Sequence, residues 1–100
     1  MDGRFSDNCN KGRFELDFAG QMAFANYRRT DDGLLVFHVE TPRALRGQGV
    51  AAQLMERVLE AAQAEGRELI PFCSYASSWM RRQRQGQSAK SQLFAPPHPL

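Results

Sequence analysis

Cysteine, lysine, histidine and tryptophan are all scarce in this chain of 100 residues, and long apolar runs are missing. The two cysteines, Cys9 and Cys73, lie far apart, with no CxxC pair and no histidine pair at metal spacing. That pattern excludes a disulfide framework and a structural zinc site, so no metal is expected. No apolar stretch resembles a secretion signal or is long enough to cross a bilayer, which predicts a cytoplasmic protein with no membrane partner. Lysine occurs only at positions 11 and 90, so the thirteen basic side chains are almost all arginine. Arginine suits bidentate phosphate binding. The net charge of +2 is nevertheless too small to indicate nucleic acid. What the chain does have is 42% hydrophobic residues, seven of them Phe, enough to build one small core and to exclude wholesale disorder.

Residues 1–12 are polar and punctuated by Gly3, Asn8, Asn10 and Gly12, which predicts a flexible lead-in. From Arg13 to Phe18 apolar and charged residues alternate strictly, the period of a strand with one buried face. Ala19-Gly20-Gln21 marks a tight turn, and a second alternating run continues to Arg29. Asp32-Gly33 carries a hairpin signal before a third strand over Leu34–Glu40. Pro42 stops that strand. From Val50 to Glu65 apolar residues recur at spacings of three and four, an amphipathic helix that Gly66 is placed to end. A short apolar run, Leu69-Ile70-Pro71-Phe72, predicts a fourth strand, parallel to the third because a crossover helix joins them. Ser74 is a candidate cap for a second helix through Trp79 and Met80, ending in Arg81-Arg82-Gln83-Arg84. Tyr75 and Trp79 fall on its apolar face and read as core. Residues 86–100, rich in Gln, Ser and Pro, predict a disordered tail. The ordered domain is thus 13–85.

Two glycines in Leu45-Arg46-Gly47-Gln48-Gly49-Val50-Ala51-Ala52 stand where extended chain passes into the first helix. Glycine permits positive φ and close backbone approach, and the first N–H groups of a helix have no intrahelical acceptor. An anion placed there meets several donors and the positive end of the helix dipole. Read alone, the same glycines are equally compatible with a loosened helix entry. They are not a Walker loop, which needs GK followed by Ser or Thr, nor a dinucleotide fingerprint, which needs a third glycine and a larger sheet.

The stretch Arg46-Gly47-Gln48-Gly49-Val50-Ala51 resembles the acyl-CoA pyrophosphate loop of the GNAT superfamily of N-acetyltransferases. Its context, Arg13-Phe14-Glu15-Leu16, His38-Val39-Glu40-Thr41-Pro42, Pro71-Phe72-Cys73 and Arg81-Arg82, is similar in order to the short single-domain GNAT-like family. The chain departs from that family after the paired arginines, where Gln83-Arg84-Gln85-Gly86 replaces a His-Pro-Glu-Tyr-like segment. It also departs at Val39 and Thr41, where the family's His-Thr order is altered.

The resemblance implies an α+β, reduced GNAT-like fold: a three-stranded antiparallel meander, a parallel fourth strand and two helices. It further implies that acetyl-CoA is the cosubstrate, its pyrophosphate on the N–H groups of Arg46, Gly47, Gln48, Gly49, Val50 and Ala51. Its pantetheine arm would pair with main chain at Val39, Glu40 and Thr41. The cluster Arg81, Arg82 and Arg84 could contact the cofactor phosphates or an acidic partner, or be a solvated helix end that complements the dipole. Cys73 would face the thioester as a candidate nucleophile, although a free cysteine is more often a small buried hydrophobe. His38 and Glu40, two apart on a strand, share a face, and either could serve as general base. The implied activity is transfer of acetyl to an unidentified amine, on a protein or a small molecule, by a monomer or weak dimer. The competing expectations are a CoA-binding module with little or no catalysis and a protein-interaction adaptor.

Overall fold

The computed structural model describes residues 3–91, with side chains through Gln83. Five strands form one sheet in sequence order: β1 (Arg4–Asn8), β2 (Arg13–Phe18), β3 (Gln21–Arg29), β4 (Gly33–Glu40) and β5 (Glu68–Pro71). The first four are antiparallel neighbours, and β5 lies parallel to β4. Helix α1 (Val50–Glu65) makes the crossover between β4 and β5, and α2 (Ser74–Ser91) follows β5. The fold is the expected α+β, reduced GNAT-like architecture, with one more strand in the meander than the sequence predicts.

That strand is a correction. The expected lead-in contains β1, which pairs along its whole length with β2 and lays Phe5 on Phe14 at 5.5 Å between rings. With one apolar residue in five, β1 carries almost no periodic signal; it is held by its ladder and by the Asn8–Gly12 turn. A second correction concerns α2, whose helical backbone continues to Ser91 through the expected domain boundary at 85. Residues 92–100 of the expected tail lie outside the described residues.

Cross-strand partners share a face, so the register separates the sheet into two sides. One side presents Phe14, Leu16, Phe18, Ala23, Ala25, Leu34, Val36 and Leu69, all buried under α1 and the start of α2. Ala23 and Ala25 leave room for α1 to pack closely over β3. Leu54, Met55 and Val58 of α1 are fully buried there, each contributing about 1.5–3 kcal/mol. On the other side lie Phe24, Asn26, Leu35, His38, Glu40 and Ile70, none of them buried. The free edge of β5 is a poor partner for further strands: Glu68 N–H donates to Asp32 C=O and Phe72 N–H to Val36 C=O, which leaves the backbone groups of Leu69 and Pro71 on the free edge, and Pro71 has no N–H to offer.

Candidate functional site

Strands β4 and β5 pair only from Gly33 to Val36, with Phe72 N–H donating to Val36 C=O at 2.8 Å as the last bond between them. Beyond that point β5 ends at Pro71 while β4 runs on to Glu40, leaving the β5-facing edge of Phe37–Glu40 without a strand partner. A bulge marks the same place. On β3, Asn26 pairs with His38 and the next residue, Tyr27, pairs with Val36, so Phe37 is the extra residue. The bulge reverses the alternation: Leu34 and Val36 face the core, but after it Val39 does, and His38 and Glu40 turn to the open side.

The gap holds a cleft of about 570 Å³ lined by residues of three elements. The β4 end contributes His38, Val39, Glu40 and Thr41; the loop and α1 contribute Leu45, Arg46, Gly47, Gly49, Val50, Ala51 and Ala52; α2 contributes Tyr75. A single 3₁₀ turn, Arg43–Leu45, leads from Pro42 into the glycine loop. Gly47 and Gly49 have φ of +80° and +76°, the left-handed region, with open space where a Cβ would stand. Gly49 is the helix N-cap and has no side chain to offer the first turn, whose first backbone bond runs from Gln53 N–H to Gly49 C=O at 3.1 Å. No acidic residue stands in that first turn, where one would favour the helix. The α1 N-terminus therefore presents uncapped donors to the cleft. Arg46 is positioned beside it by a bond from its Nε to Thr41 C=O at 3.2 Å, and Gln48 donates to Ala44 C=O at 3.1 Å.

On the open side, His38 Nε2 lies 3.0 Å from Glu40 Oε1, and the two side chains are 55% and 53% exposed. Tyr75, read from the sequence as core, packs against the core and also lines the cleft; burial pushes its phenol above the usual tyrosine range, with nearby Arg82 opposing the shift. Its apolar neighbours on the helix face hide this role from any periodic reading. Cys73 takes the capping place expected of Ser74: its carbonyl accepts from Ser77 N–H at 2.9 Å and its Sγ accepts from Ala76 N–H at 3.4 Å. It is half-buried against the core. Neither Cys73, Gln48, Arg81 nor Arg82 is among the cleft-lining residues, and the two arginines are exposed on α2.

The family model described as GCN5-related N-acetyl-transferase matches residues 13–89, more than three-quarters of the chain. The chain belongs to the GCN5-related N-acetyltransferase family. Its domain is accordingly acetyltransferase-like, and the match takes in β2 through most of α2, hence the entire cleft. No curated protein matches it. Among the described residues no helix is long and apolar enough to cross a membrane, and no cluster of three or more His, Cys, Asp or Glu is arranged for a metal ion.

Proposed function

We propose that this chain uses acetyl-CoA to acetylate a primary amine directly, without an acyl-enzyme intermediate. The observation that carries the reading is the α1 N-terminus: two left-handed glycines, no side-chain cap and no acid in the first turn, opening onto a cleft beside an unpaired strand edge. Such a terminus is built for an anion. The N–H groups of Gly47 to Ala51 would hold the pyrophosphate, with Arg46 adding a bidentate contact. The unpaired edge of β4 from Phe37 to Glu40 offers main-chain donors and acceptors to the amide-bearing pantetheine arm. Acetyl-CoA, a substrate here, supplies the activated acetyl thioester.

The protein's own part is orientation and proton movement. His38 and Glu40 accept the proton that an ammonium must lose before its nitrogen can attack the thioester carbonyl. As the C–N bond forms and the C–S bond breaks, the nitrogen gives up its second proton to water, and Tyr75, kept protonated by burial, donates its proton to the departing sulfur and regains one from solvent. The products are an N-acetyl amide and the free thiol of CoA. Cys73 is given a structural place, because its Sγ is taken up in capping α2. The exposure of His38 and Glu40 favours a second reading, a CoA-binding module with weak catalysis, since a base in open water gains little from its surroundings.

The test uses thermal unfolding with and without CoA, together with Ala51→Glu. Ligand at about 100 times its dissociation constant adds roughly 2.7 kcal/mol, so the parent melts several degrees higher with CoA. Glutamate at position 51 favours the helix N-terminus and leaves the unliganded melting temperature equal or higher, but places like charge against the pyrophosphate and removes the CoA shift. An undiminished shift in Ala51→Glu rules out the loop assignment. Release of free thiol from acetyl-CoA in the presence of an amine then separates the enzyme from the binding module.

A further inference from the structure

The glycine loop is tied back to the turn before it by a side chain that does not enter the cleft. Leu45 N–H donates to Pro42 C=O at 2.9 Å and Arg46 N–H to Arg43 C=O at 3.2 Å, the bonds of a 3₁₀ turn. Had that turn continued, Ala44 C=O would accept next from Gly47 N–H. Instead Arg46, with ψ of 146°, leaves the helical region and carries the Gly47 N–H away. The amide of Gln48 takes the vacated acceptor, its Nε2 donating to Ala44 C=O at 3.1 Å. Among the described residues, the N–H groups of Gly47, Gln48 and Gly49 make no backbone hydrogen bond, so they stay free for an anion.

We infer that Gln48 is a positioning residue, whose side-chain amide occupies Ala44 C=O and so holds the loop in its anion-binding shape before the cofactor arrives. This role rests on the acetyl-CoA reading above. Gly47 and Gly49 line the cleft and Gln48 does not, so its amide acts through the backbone and not by contact with the ligand. Its own φ is negative while the glycines on either side are left-handed, the alternation of hand that makes concavities of N–H groups. Glycine holds such a shape with the least restraint of any residue, and a loop that samples other shapes binds only with the competent fraction of its population. Backbone bonds fix the chain up to Arg46 and again from Gly49, whose C=O accepts from Gln53 N–H at 3.1 Å. The Gln48 amide spans the interval between them. Arg46 also reaches back, from Nε to Thr41 C=O at 3.2 Å, but its charge would meet the pyrophosphate directly, so Gln48 is the tie that separates positioning from contact.

Gln48→Met keeps the length of the side chain and removes the donor at an exposed position, so the unliganded melting temperature stays that of the parent. Full-length parent and variant are compared by NMR relaxation of the backbone amides without ligand, and by stopped-flow binding of CoA. In the variant the order parameters of the Gly47 and Gly49 amides fall before any ligand is added. The CoA dissociation constant rises about fivefold, the scale of one neutral hydrogen bond. The rise lies in a slower association rate, since a smaller competent fraction captures less often while the finished complex is little changed. Order parameters equal to the parent's overturn the proposal whether or not CoA binds. An affinity loss carried wholly by faster dissociation also overturns it, by assigning the amide to the ligand itself. A loop that loses order in Gln48→Met, in a protein whose parent binds no CoA, supports the tie and sinks the acetyl-CoA reading instead.

Discussion

Tyr75 carries the sharpest consequence at the scale of single residues. It begins α2 yet lines the cleft, and burial holds its phenol in the protonated form above the ordinary value of 10.0. Removing only the hydroxyl isolates the proton it donates. Tyr75→Phe is expected to lower kcat by about 10²-fold with the CoA-dependent thermal shift retained, as measured by thiol release beside parallel melting curves. Because the shift is upward, any alkaline fall that the phenol contributes to the parent rate comes at higher pH than an unshifted tyrosine would give. None of this is visible in Ser74-Tyr75-Ala76, where a tyrosine between small residues on an apolar helix face has the pattern of core. The glycine loop was legible because its chemistry is local: two glycines, then a helix with no capping side chain. Tyr75 was not, because its position depends on β5 stopping short of β4.

At the scale of elements, the β2–β3 hairpin contains a correctable strain. Phe18 pairs with Gln21 across a two-residue loop in which Ala19 has φ of +53° and Gly20 of +91°, both left-handed. Asp17 Oδ1 accepts from Gly20 N–H at 2.8 Å and helps hold the turn. A left-handed alanine costs roughly 1–2 kcal/mol, whereas asparagine followed by glycine is the preferred pair for this loop. Ala19→Asn is therefore expected to raise the melting temperature by about 4–8 °C for each kcal/mol recovered, checked by calorimetry. Local patterns of this kind explain which elements could be read in advance. Helix α1 was bounded on both sides by glycines and filled by a clean apolar stripe, and its observed limits, Val50 and Glu65, are the expected ones. In β1 a lone Phe5 gives no period, and α2 past Met80 has no apolar repeat to announce that it continues. The bulge at Phe37 has no local signature either, since it arises from pairing with β3.

At the scale of the whole molecule, Arg29 joins distant parts of the chain. Its guanidinium donates to Asp7 on β1 at 2.8 Å, to both carboxylate oxygens of Glu65 at the end of α1 at 2.7 and 2.8 Å, and to the Tyr27 hydroxyl at 2.9 Å. The Arg29 hydrogen bonds hold the Glu65 carboxyl below the usual range. Burial works against the Asp7 charge, but hydrogen bonds from Tyr27 and Arg29 outweigh it and lower that group too. A carboxylate lowered on folding contributes stability above its unfolded value, near pH 4, and loses it as pH falls through the folded value. The urea midpoint is thus expected to hold between pH 7 and 5 and to drop below pH 4. Arg29→Met should cost about 1–2 kcal/mol at pH 7, allowing for screening at this partly exposed cluster, and the margin should narrow as pH falls below 4. A variant that stays weaker than the parent by the same margin at pH 3 would show that Arg29 acts through packing instead.

The placement of the core on one face of the sheet has a bearing on how the chain is made. The four-stranded meander is complete at Glu40, yet the side bearing Phe14, Leu16, Leu34 and Val36 has nothing to lie against until α1 ends at Glu65. At about 5–20 residues per second, the ribosome leaves that apolar face bare for roughly 1–5 s. The α1 layer is complete only when the last residue of the helix, Glu65, comes within reach of Arg29. The interval is a window in which a nascent-chain chaperone would find its target.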